Sequence, residues 1–214
     1  MSNPTCDYFL SIQTRHMAAD KREQILEAAK ALFSRQGYAK TSVDDISNAI
    51  GMRKSSLYYY FKNKEDIFMC SFKNEWKSQF AGFRSEANKC SNPEEKLITY
   101  IGKSLDYYET VVIEHRIPIR SLIETRNLYR KFVDEINQGS IDFYAKCIEQ
   151  GQQEGIFKSC DIDNVANTLS LIKFSIQYDQ LSIYMDETPT FEDWQEIRDQ
   201  IINATQLIIN GIKY

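Results

Sequence analysis

Glycine and proline are scarce in this chain, eight and four in 214 residues. So little turn chemistry, set against long apolar patterns of period 3.6, points to an all-α protein. The five cysteines (Cys6, Cys70, Cys90, Cys147 and Cys160) are odd in number and form no CxxC. They read as reduced cytoplasmic thiols rather than a disulfide framework. The N-terminus lacks a basic segment followed by an apolar one, so no secretion signal is expected. No apolar run approaches the length of about 18 residues needed to span a bilayer, so no membrane is expected as a partner. The two histidines, His16 and His115, are far apart. With no CxxC they give no structural metal site. There is no glycine-rich phosphate loop and no GxSxG, and the paired acids Glu94 and Glu95 fit a helix start. No catalytic constellation remains, so neither an enzyme nor a cofactor is expected.

The formal net charge of −4 is unevenly spread. Residues 20–64 hold nine Lys or Arg against five Asp or Glu, and residues 65–214 hold sixteen against twenty-four. A basic head on an acidic body points to an anionic partner at the head, with chance imbalance as the alternative. Residues 1–19 read as a flexible N-terminal arm, with Arg15 as a minor-groove contact the other option. From Asp20 to Gln36, the residues Ile25, Ala28, Ala29, Leu32 and Phe33 form one apolar stripe, ended by Gly37. Ser42 and Asp45 resemble a capping box that starts a second helix, with Ile46, Ala49 and Ile50 inward. Gly51 then permits a sharp turn.

A third helix is expected over about Lys54–Tyr60, anchored by Leu57 and Phe61, which lie four residues apart. Ser55 and Tyr59 share its outer face, and Ser55 and Ser56 are small enough for close approach. From Arg53 to Lys64 there are four basic residues and no acid. Lysine and arginine neutralise phosphates, hydroxyls and helix N-terminal amides hold phosphate oxygens, and an exposed Tyr59 can touch base edges. A short helix cannot bury Leu57, Tyr58, Tyr59, Tyr60 and Phe61 together, so at least one aromatic faces outward.

Residues 22–68 resemble the DNA-binding domain of the tetracycline-repressor (TetR-type) family of bacterial regulators. The carrying residues run through Ile25-Leu26, Ala29, Leu32-Phe33, Gly37-Tyr38, Thr41-Ser42-Val43, Ile46 and Gly51, then Leu57-Tyr58-Tyr59-Tyr60-Phe61-Lys62-Asn63-Lys64-Glu65. The resemblance implies a three-helix head at 20–64 and a six-helix ligand-binding and dimerisation body at 65–214. It also implies homodimerisation and ligand-controlled binding of double-stranded operator DNA. It implies that Tyr58, Tyr60 and Lys64 meet phosphate, that Tyr59 meets a base, and that Thr41 and Ser42 open the second helix at the phosphates. Arg53 and Ser55 depart from the family pattern, where a small capping residue and a glycine are common. Together with Lys54 and Ser56, these are the expected DNA-binding residues.

In the body, Phe68, Phe72, Trp76, Phe80 and Phe83 make one aromatic stripe from about 64 to 88. Asn92, with Pro93 at the next position, starts a helix to about His115. A shorter helix is expected at about 119–125, and another at about 128–153. Residues 163–185 carry two apolar faces, and residues 191–212 carry a similar pair. One face of each is expected to form the dimer, through Leu169, Ile172, Ile176, Ile201, Ile202, Thr205, Ile208 and Ile209, with a larger single-chain core as the alternative. The ligand cavity implied by the resemblance is assigned to Trp76, Phe80, Phe83, Tyr100, Tyr108, Phe143, Tyr144, Cys147, Phe174 and Tyr178. Apolar walls with a few polar tips suit a hydrophobic or aromatic effector, and the acidic body favours neutral or cationic compounds over polyanions. His115 reads as a helix-end residue, with a place in the cavity wall as its alternative. The expected whole is a cytoplasmic, ligand-responsive repressor. The competing readings are an activator of the same fold and a ligand-binding module whose head meets protein.

Overall fold

The computed structural model describes residues 4–114, 119–120, 130–185 and 187–214; side chains are described from Asp20 onward, except those of residues 114 and 131. Contacts divide the chain into a unit that ends at Lys73 and one that begins at Asn74, a division that falls inside a helix.

The N-terminal unit holds α1 (Pro4–Gln36), α2 (Val43–Ala49), α3 (Lys54–Leu57) and the start of α4 (Lys64–Ala87). The helix expected from Asp20 begins at Pro4 instead. After Pro4 nothing before Gly37 breaks a helix, and proline favours the first helical position. Gly37, with a φ of 81°, ends α1 in the left-handed conformation. The capping box at α2 is present: Ser42 Oγ accepts from the Asp45 amide at 3.1 Å, and the Ser42 amide donates to Asp45 at 2.8 Å. The Gly51 turn has a φ of 64°, which only glycine adopts without strain. Ala49, expected inward, is exposed, whereas Ile25, Ala29, Phe33, Ile46, Leu57 and Phe61 form the head's buried core. Phe68 and Phe72 from α4 stack into the same core around Phe33.

The C-terminal unit holds the rest of α4, then α5 (Pro93–Glu109), α6 (Arg130–Gln153), α7 (Ile162–Ser182) and α8 (Phe191–Ile212). Asn92 caps α5 and Pro93 takes its first position, as its sequence dictates. The end of α5 loosens into a π-helical turn at Thr110–Glu114. Of the short helix expected at 119–125, only Ile119 and Arg120 are described, and His115 lies outside the described residues. In this unit α5 packs on α6 and α8, and α7 packs on α6 and α8, so the four close a ring of neighbours. Trp194, Tyr100, Tyr144 and Leu97 fill its centre without contact with water. Burial of each such side chain contributes roughly 1.5–3 kcal/mol. No described helix is long and apolar enough to cross a membrane.

Candidate nucleic-acid interface and ligand cavity

α3 is shorter than its sequence suggests. Regular helix stops at Leu57, and Tyr59 and Tyr60 bond back to the carbonyls three residues earlier. Consecutive aromatics cannot all find helical partners here, because only Leu57 and Phe61 have a core to enter. The turn that results throws Tyr59 outward, 84% exposed, with Tyr58 half exposed and Tyr60 edge-on to the Tyr59 ring. Arg53 precedes α3 without a side-chain cap, as an arginine must, and Arg53, Lys54, Ser55 and Ser56 are all exposed. These residues and Tyr58–Tyr59 thus occupy one short, solvent-facing stretch of chain.

Four expected contact residues have structural partners. The Thr41 side chain is buried, and its hydroxyl donates to the Gly37 carbonyl at 2.8 Å. Ser42 is exposed but serves as the α2 cap. Lys64 is half-buried and donates to the carbonyls of Tyr38 and Thr41, both at 2.9 Å, with its ammonium over the Tyr38 ring. Burial holds its pKa below the usual lysine range. Lys64 therefore ties the start of α4 to the loop before α2. Lys54 pairs with Asp44 at 2.7 Å, and that carboxylate raises its pKa. The Arg15 side chain lies outside the described side chains.

In the C-terminal unit a cavity of about 70 Å³ opens between α4, α5, the π-helical turn, α6 and α7. Of the residues assigned to a ligand cavity, Trp76, Phe80, Tyr108, Tyr144 and Phe174 line it. Phe83, Tyr100, Phe143 and Cys147 do not. They sit in the hydrophobic core, where Tyr100 stacks on Phe143 and bonds Ser140 at 2.8 Å. Burial pushes the Cys147 thiol up to about 12. Tyr178 points away, half exposed. Its expected place is taken by a polar strip of α7 that sequence reasoning missed: Ser170, Lys173 and Gln177. The signal was there. Residues 170, 173 and 177 repeat at helical spacing between the two apolar faces of α7. A helix apolar on two flanks buries whatever lies between them. The charge of the whole body is thus a poor guide to the cavity, whose one described charged side chain is a cation.

The residues expected at a dimer contact divide in two. Leu169, Ile201, Thr205 and Ile209 are buried in their own subunit's core, because α7 and α8 turn these positions inward. Ile172, Ile176, Ile202 and Ile208 are half-buried. Large apolar residues left in water on these helices include Leu171 and Tyr178 on α7, Ile183 just after it, and Phe191 and Leu207 on α8.

A three-helix head with a glycine turn before an aromatic outer stretch, on an all-helical body, defines a helix-turn-helix regulator. Comparison with known proteins agrees. Residues 25–69 match the family of bacterial regulatory proteins, tetR family. The fatty acid metabolism regulator protein of Bacillus subtilis (strain 168) is 28% identical over 141 residues, 64% of this chain and 71% of its own length. The HTH-type transcriptional repressor KstR2 of Mycobacterium tuberculosis (strain CDC 1551 / Oshkosh) is 26% identical over 150 residues, 68% of this chain and 74% of its own length. The fold is shared with a transcriptional regulator from Cytophaga hutchinsonii, with a TM-score of 0.73, 21% identity, and coverage of 91% of this chain and 99% of that one. Residues 25–69 of this chain therefore carry the domain of the tetR family of bacterial regulatory proteins.

Proposed function

We propose that this chain is a cytoplasmic, homodimeric repressor that binds operator DNA through the Arg53–Tyr59 stretch and leaves it when a small molecule enters the cavity of the C-terminal unit. It carries out no chemistry of its own. The observation that carries the DNA reading is Tyr59, a large aromatic held in water beside Arg53, Lys54 and Ser55 by the Leu57 and Phe61 anchors. A folded chain keeps such a side chain exposed at a cost, and contact with base edges recovers it. Two copies would present two such stretches to successive major grooves, about 34–36 Å apart. The hydrophobic and aromatic walls of the cavity suit a small, largely apolar effector. The helix α4 carries both the Lys64 staple and the Trp76 wall, so it is the element through which an effector would act. A coupling of about 1–3 kcal/mol would change operator affinity roughly 5–150-fold.

The test is titration of the purified full chain with DNA from its own promoter region, followed by fluorescence anisotropy at several salt concentrations. Binding should prefer that sequence and weaken steeply with salt. Lack of sequence preference sinks the proposal. Charge reversal separates DNA from a protein partner, and it belongs at Lys54 and Lys62, because Lys64 holds the head together through Tyr38 and Thr41.

A further inference from the structure

We infer that the effector is a small apolar carboxylic acid, whose carboxylate lies against the Lys173 ammonium and the Gln177 side-chain amide while its hydrocarbon part meets Trp76, Phe132 and Phe174. This rests on the cavity being the effector site. The Lys173 side chain is buried and lines the cavity. Its ammonium donates to the Ser104 hydroxyl at 2.7 Å, and that hydroxyl in turn donates to the Ile101 carbonyl at 2.7 Å. A serine oxygen satisfies one of three N–H donors. Among the described residues Lys173 makes no ion pair and no second hydrogen bond, and its ammonium lies 6.0 Å from the Phe174 ring. A buried cation in that state stays expensive until an anion arrives.

Gln177 stands one helical turn further along the same strip. It is only 5% exposed, lines the cavity, and makes no hydrogen bond among the described residues. Its amide offers two N–H donors and one oxygen acceptor to whatever occupies the cavity. Positions four apart on a helix lie side by side, so the two groups can hold the two oxygens of one carboxylate. Of the other polar lining, Ser170 donates to Asn137 at 2.6 Å and Ser140 joins Tyr100 at 2.8 Å. One ammonium, the one described charge of the cavity, matches a monoanion. An organic cation would meet Lys173 with like charge. The cavity is only about 70 Å³ between its aromatic walls, so an acid with a compact apolar body enters by parting them.

The experiment is calorimetric titration of the full-length chain with hexanoate and phenylacetate. Each is compared with its primary amide and its amine of the same carbon skeleton. The carboxylates should bind roughly tenfold to a hundredfold tighter than the amides, the spread expected of hydrogen bonds to a charged partner. The amines should bind weakest. Lys173→Met should erase the preference for the acid, Lys173→Arg should keep part of it, and Gln177→Leu should reduce it. The inference is overturned if amides or amines match the acids, if Lys173→Met keeps the preference, or if no probe binds. DNA binding by the wild-type chain without any probe tests the regulator reading separately, so failure of one is distinguishable from failure of the other.

Discussion

Lys173 costs the fold free energy. Burial alone draws its pKa from the ordinary 10.5 down to about 8. The unfolded chain therefore holds a proton that the folded chain has released between those two values, and stability rises as pH climbs through that window. Below about pH 8 the penalty is complete, on the order of 3 kcal/mol. Two other titratable residues that face the cavity stay out of the window, because burial pushes the Tyr107 and Tyr144 phenols further up. Lys173→Met keeps the length and apolar stem of the side chain and removes the charge. We expect it to stabilise the protein by roughly 1–3 kcal/mol near neutral pH, with the gain shrinking toward pH 10.5. Urea denaturation midpoints of both proteins across that range measure it, and a difference that does not change with pH contradicts the account. At the same scale, Gly151 is a glycine for a physical reason. A Cβ there would sit 2.1 Å from the buried Phe157 ring. Gly151→Ala should cost about 1–3 kcal/mol, the usual range for overpacking, and lower the melting temperature accordingly.

At the scale of elements, an ion pair links α2 to the start of α3. Asp44 on α2 holds Lys54 at 2.7 Å, next to the stretch proposed to meet phosphate. Asp44→Asn should free that ammonium. DNA affinity should then rise, and the salt dependence of binding should steepen by up to about one phosphate contact. An unchanged slope would mean that Lys54 never reaches the backbone. Much of this layout is legible in the sequence, because caps and apolar periodicity are local. Ser42-Asp45, Asn92-Pro93 and the Gly37 and Gly51 turns declare the ends of their helices, and the stripe from Phe68 to Phe83 declares what α4 buries. The misses arise where distant parts of the chain decide. The end of α3 depends on which aromatics have a core to enter. The buried side of α7 depends on α6 and α8 flanking it, so that Lys173 goes inside and Leu171 stays outside. Periodicity finds two apolar faces on α7 but does not rank them. The cavity was assigned to the larger aromatics, yet Tyr100 and Phe143 are consumed by stacking on each other.

For the whole molecule, that ranking bears on assembly. Leu169, Ile201, Thr205 and Ile209 hold α7 and α8 to the subunit's own core and are unavailable to a second copy. Among the large apolar side chains that remain in water, Leu171, 66% exposed, and Tyr178, half exposed, lie seven residues apart and so on one side of α7, with Leu207 and Phe191 exposed on α8. Large apolar side chains at that spacing on adjacent helices form the kind of patch that soluble proteins leave bare only when another surface covers it. The same patch on a second copy would be its own complement across a two-fold axis, in an isologous four-helix contact. If the operator is bound by two heads at once, dimerisation must come before tight binding. Leu171→Arg combined with Leu207→Arg should therefore produce a folded monomer by sedimentation velocity, because neither residue belongs to the buried core. Loss of the second head should weaken operator binding by far more than the tenfold expected of a single side-chain contact, while the affinity of each subunit's cavity for its effector is kept. A double variant that stays dimeric would move the interface to another face of the body. A monomer that keeps full operator affinity would contradict two-headed binding.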